Sequence, residues 1–97
     1  MEKLALLARL EARPGKENEV EKFIKDALAL AREESGTIRW YALKLGKSTF
    51  GIFDTFEGES GRQAHLGGPI AQALMARAEE LLAVPPQIEP VILLAVK

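Results

Sequence analysis

Apolar residues along this chain follow two rhythms, and the order in which those rhythms alternate leaves few folds open. Leu4, Leu6, Ala8 and Leu10 recur every second residue, the spacing of a strand with one apolar face. Val20, Phe23, Ile24, Ala27, Leu28 and Ala31 recur every three or four residues, the spacing of a helix that buries one stripe. Two more strand-like runs, a second helical stripe and a last apolar strand complete the series. The order is βαββαβ, and it fits in 97 residues. It predicts one domain over residues 1–97, with a four-stranded antiparallel sheet and two helices on one of its faces.

The punctuation between the runs places the elements. Lys3 to Arg13 reads as the first strand, ended by Pro14-Gly15. Helix one follows from Lys16 to Glu34, with Glu17 and Glu19 at the end where the helix dipole favours acids. Ser35-Gly36 closes it. Thr37 to Leu45 and Ser48 to Phe56 are the second and third strands, joined by a Gly46-Lys47 turn. A polar connector from Gly58 to Gly61 leads to a short helical segment, Gly61 to Leu66, which carries His65. Gly67-Gly68 interrupts that segment. Helix two runs from Pro69 to Ala83, with proline suited to its first turn. Pro85-Pro86 stops it, and Gln87 to Val96 is the last strand. The architecture is ferredoxin-like α+β.

Thirteen basic and fourteen acidic residues give a formal net charge of −1, which provides no electrostatic case for nucleic acid or acidic membranes. The absence of cysteine excludes disulfides, thiolate nucleophiles and thiolate metal sites. One histidine leaves no set of metal ligands, and Gly67-Gly68-Pro69 lacks the length and the lysine of a phosphate loop. The segment MEKLALLARL is too short and too charged for a secretion signal or membrane span, so a cytoplasmic location is the expectation. One Asn and three Gln hint at a thermophilic source.

The last strand reads as apolar on both faces: Ile88, Ile92, Leu94 and Val96 on one, Val91, Leu93 and Ala95 on the other. Helices cover one sheet face, so the other invites a partner. The expected partner is a second copy of the chain, sheet face to sheet face about a twofold axis.

Several ordered segments make the likeness specific. They are Arg13-Pro14-Gly15-Lys16 before a charged helix, Glu34-Ser35-Gly36-Thr37-Ile38-Arg39-Trp40-Tyr41 at a helix end entering a strand, Phe50-Gly51-Ile52-Phe53-Asp54-Thr55-Phe56 in the third strand, and His65 before Gly68-Pro69. With these the chain resembles the dimeric α+β barrel proteins, and among them the antibiotic biosynthesis monooxygenase-like domain, over nearly its whole length. The resemblance implies a homodimer and a pocket between sheet and helices in each subunit. It also implies cofactor-free oxygenation of a phenol or quinol. The haem-degrading branch of that superfamily uses an Asn on strand one, a Trp on strand three and a His on helix two. Ala8, Phe56 and Met75 stand there instead, so the resemblance does not extend to haem degradation.

His65, the only histidine, is the candidate general base, because imidazole titrates near neutrality. Its plain alternative is a helix-end residue that holds the Gly67-Gly68 turn. Asp54 lies on an otherwise apolar strand face, between Ile52 and Phe56. It could orient His65 or bind a substrate hydroxyl, but the favoured expectation is an ion pair with Arg39 or Arg62. Trp40 and Tyr41 point to opposite faces of strand two, one toward the pocket and one toward the subunit interface, and parity leaves open which is which. Arg39 and Arg77 could complement an anionic substrate. Phe56 and Met75 could wall the pocket. Two functional readings remain: a cofactor-free monooxygenase acting on a small aromatic or quinol, and a non-catalytic dimeric module that binds an apolar molecule. Oxygenation in the first reading needs no cofactor.

Overall fold

A computed structural model describes residues 1–97. The strands are β1 (Leu4–Glu11), β2 (Thr37–Lys44), β3 (Thr49–Phe56) and β4 (Gln87–Ile92). The helices are α1 (Glu17–Asp26), α2 (Leu28–Ala31), α3 (Glu59–Leu66) and α4 (Pro69–Leu81). The sheet is antiparallel throughout, in the order β2-β3-β1-β4. This is the expected ferredoxin-like arrangement.

Register explains which residues meet the helices. Leu6, Ala8 and Leu10 of β1 stand opposite Asp54, Ile52 and Phe50 of β3, and these share the helix-covered face. Leu10, Phe50 and Ile52 pack there with Val20 and Ile24 of α1 and with Leu74 and Leu81 of α4. On β2, Trp40 is opposite Asp54 and Tyr41 is opposite Phe53. Trp40 therefore faces the helices. Tyr41 stacks on Phe53 on the open face, with ring centroids 6.4 Å apart. Register thus assigns the two side chains to named sheet faces.

Two expectations need correction. The predicted single helix from Lys16 to Glu34 divides at Ala27, although Ala27 keeps right-handed helical angles and the path continues into α2. The last strand is shorter than its apolar run. It stops at Ile92, because Ile92 pairs with Leu4, where β1 begins. Only Leu93 reaches further, donating its amide to the Lys3 carbonyl, and Leu94 is 95% exposed. The open face of β4 also carries Gln87 and Glu89, opposite Arg9 and Leu7. It is less apolar than the residue count suggested. Pro90 sits in β4 without disruption because β4 is an edge strand.

One close backbone approach positions the site. A Cβ on Gly61, in α3, would lie 2.7 Å from the Gly36 carbonyl oxygen, and one on Gly36 would lie 2.9 Å from the Gly61 Cα. Only glycines allow these segments to touch. The contact holds the end of the α2 segment, with Glu34, beside α3, with His65.

Candidate active site

His65 is 9% exposed, on α3, where that helix crosses the sheet. Its ring lies against Phe56, with centroids 5.6 Å apart and planes tilted by 47°. Each ring nitrogen faces a carboxylate. Nδ1 is 2.6 Å from Glu34 Oε1, and Nε2 is 2.8 Å from Asp54 Oδ2. The Thr37 hydroxyl donates to the same Glu34 oxygen at 2.8 Å. Burial works against a charged imidazole, but the carboxylates of Asp54 and Glu34 outweigh it and raise His65 from 6.5 to about 9. At neutral pH the cluster is an imidazolium between two carboxylates.

Asp54 is 1% exposed. Its contact with Nε2 is short enough for ion pairing but lies off the N–H direction, and neither carboxylate oxygen receives an aligned hydrogen bond. A buried carboxylate oxygen without a donor is costly, and such groups mark sites where a ligand or a water completes the set. Asp54 and His65 both border a chamber between sheet and helices. Leu6, Ala8, Ile52, Leu66, Ile70 and Leu74 make up most of the remaining wall. Its volume is about 40 Å³. That is room for a water molecule, whereas a void that accepts benzene measures about 150 Å³. An aromatic ring enters only if Leu66, Ile70 or Leu74 gives way.

The ion pair expected for Asp54 is corrected here. Arg39 pairs with Glu2 at 3.5 Å, and Arg62 pairs with Glu59 at 2.8 Å while reaching the Ala5 and Val91 carbonyls. Asp54 takes His65 instead. Of the other residues singled out, Phe56 touches the His65 ring and Trp40 neighbours Asp54 across the β2–β3 ladder. The Trp40 indole Nε1 is buried without an acceptor. Tyr41 is on the open face beside Arg39. Met75 is 61% exposed and lines a separate groove with Arg13, Leu82 and Pro85. Arg77 pairs with Glu80 along α4 at 3.1 Å. These four lie outside the His65 cluster.

Glu34 is the residue that sequence reasoning passed over. A signal was present: an acid where helix one ends faces the negative end of the helix dipole, an unfavourable place without a cationic partner. The groups of the cluster face His65 from opposite sides instead of converging, and no set of three side chains is placed to hold a metal ion. No helix is long and apolar enough to cross a membrane.

The chain superposes on the NE2512 protein of unknown function from Nitrosomonas europaea with a TM-score of 0.98 and 61% identity, covering 100% of this chain and 94% of that one. The chain belongs to the NE2512 family. Its ferredoxin-like α+β fold is shared by solved structures of much lower identity. Rv0793 from Mycobacterium tuberculosis shares it at TM-score 0.85 and 19% identity, over 97% of both chains. A Caulobacter crescentus protein provisionally named an antibiotic biosynthesis monooxygenase shares it at TM-score 0.81 and 20% identity, over 97% of this chain and 92% of that one. No protein-family model and no curated protein matches the chain.

Proposed function

We propose that this NE2512-family protein is a cofactor-free monooxygenase that oxidises a small phenol or quinol in the chamber beneath its helices. The observation that carries the reading is the buried Asp54 carboxylate, paired with His65, with an unpartnered oxygen at an apolar chamber. The expected general base was His65. Held as an imidazolium between two carboxylates, His65 has no free lone pair, so Asp54 is the proton acceptor in this reading. The substrate O–H bond breaks and an Asp54 O–H bond forms. The resulting phenolate is electron-rich enough to reduce dioxygen directly. One hydroxyarene and one O₂ give one quinone and one water, and the proton held by Asp54 ends in that water. His65 steadies the carboxylate and keeps it aimed, and the apolar walls exclude bulk water.

Oxygen uptake with a panel of phenols and hydroquinones tests the reading. Wild type is expected to consume oxygen, and Asp54→Asn to slow it by about 10²-fold or more. No uptake by wild type, or equal uptake by the variant, would overturn it. The small chamber favours a second reading, a non-catalytic module that closes around an apolar ligand. Thermal stabilisation by panel compounds without oxygen uptake would select that one.

We also propose that the working unit is a homodimer. Leu7, Leu43, Tyr41, Phe53 and Val91 make a half-exposed apolar patch on the sheet face opposite the helices. A small domain gains much from covering such a patch. Light scattering at micromolar concentration should return twice the chain mass. A single-chain mass would refute the pairing.

A further inference from the structure

A buried group that changes charge needs a path for its proton, and Asp54 and His65 are both closed off from bulk water. On the far side of His65 the polar groups continue toward the surface. Glu34 Oε1 lies 2.6 Å from Nδ1 and accepts the Thr37 hydroxyl at 2.8 Å. Glu34 and Thr37 also line a surface groove of about 260 Å³, with Arg32, Arg39 and Trp40 among its other walls. Asp54 borders the inner chamber, and Glu34 does not. His65 therefore links two spaces, one apolar and inner, one polar and open to water. The polar partners of its ring are Asp54 and Glu34 alone.

We propose that Glu34 and Thr37 form the proton route between His65 and solvent, with the outer groove as its mouth. The His65 Nδ1–H bond breaks and a Glu34 Oε1–H bond forms. The Thr37 hydroxyl turns, its oxygen takes that proton, and its own proton passes to water in the groove. His65 is left neutral, with Nε2–H toward Asp54.

The charge bookkeeping of the site keeps this route out of the turnover itself. One imidazolium and two carboxylates sum to −1. When Asp54 gains a substrate proton while His65 stays charged, the cluster is neutral and the phenolate carries −1, so the buried total is still −1. No extra charge is buried at that stage, which matters where unpaired charge is expensive. When product water takes the Asp54 proton, the cluster returns to −1 with His65 still charged, so the route serves the resting protein, in which His65 gains and loses its proton. This balance rests on the proposed reading of Asp54 as proton acceptor. The route itself does not, and its test needs no substrate.

His65 is the only histidine, so the exchange of its ring N–H protons with water can be followed by ¹⁵N-edited NMR on the full chain without ambiguity. Glu34→Gln removes one of the carboxylates that favour the charged ring, so without a relay it should release its proton faster. With the relay, Glu34→Gln and Thr37→Val should both slow exchange about tenfold or more, and Thr37→Ser should restore it. Unchanged or faster exchange in Glu34→Gln, or in a folded Thr37→Val, would overturn the route. Slowed exchange beside absent oxygen uptake would keep the route and sink the oxygenase.

Discussion

Replacing His65 by leucine is expected to lower the unfolding free energy by about 3–5 kcal/mol, the usual cost of stripping one partner from a buried ion pair. The leucine fills space and keeps an apolar contact with Phe56, so lost packing is a small part of that cost. What remains is Asp54, 1% exposed, with no cation beside it and Glu34 still charged across the gap. Thr37 continues to donate to Glu34, which limits the damage on that side. The decisive comparison is the double variant His65→Leu with Asp54→Leu. It removes the uncompensated charge together with its partner, and apolar replacement of a whole buried pair is often neutral or stabilising. The double variant should therefore be more stable than His65→Leu alone, a coupling of about 0.5–3 kcal/mol being typical for residues in contact. Urea denaturation midpoints at constant m-value measure this. A His65→Leu cost below about 1 kcal/mol, or strictly additive singles, would show that the pair is not energetically coupled. A double variant that is stable but consumes no oxygen would show that the cluster is kept for chemistry and not for folding.

The sequence disclosed the fold more fully than the site, and particular residues show why. Strand and helix periods depend on neighbours a few positions apart, so β1, β3 and the buried faces of α1 and α4 were legible. The end of β4 was not, because it depends on where its partner β1 begins, and a run of Leu93, Leu94, Ala95 and Val96 carries no record of that. Trp40 and Tyr41 could be assigned to opposite faces but not to named ones until β2 was registered against Asp54 and Phe53. His65 and Asp54 were each visible as polar residues in apolar surroundings. Their partnership was one alternative among several, since Arg39 and Arg62 were equally plausible cations on charge alone. Glu34 is 31 residues from His65, and what joins them is the Gly36–Gly61 backbone contact, a tertiary fact with no local pattern. Chamber volume depends on how Leu66, Ile70 and Leu74 pack, which composition does not encode.

The same cluster makes stability depend on pH in a window set by one residue. In the folded chain His65 titrates at about 9, against 6.5 as its ordinary value. A group whose affinity for protons rises on folding stabilises the fold while it is protonated in both states, and loses that contribution as the folded form deprotonates. The contribution is full below pH 6.5, shrinks as pH climbs, and is gone above about 9. A tenfold gain in proton affinity on folding corresponds to about 1.4 kcal/mol. With a discount for solvent reaching the Glu34 side, the loss is on the order of 2 kcal/mol. For a chain of this length that lowers the melting temperature by roughly 8–15 °C between about pH 6 and pH 9.5. The His65→Leu variant lacks the titrating group, so its melting temperature should change far less over the same range, and the gap between it and wild type should narrow at high pH. Parallel curves for the two proteins would assign the pH response to other groups. An NMR titration of the single imidazole gives an independent check: a midpoint near 6.5, the ordinary value, in the folded chain would mean that the two carboxylates do not hold its proton.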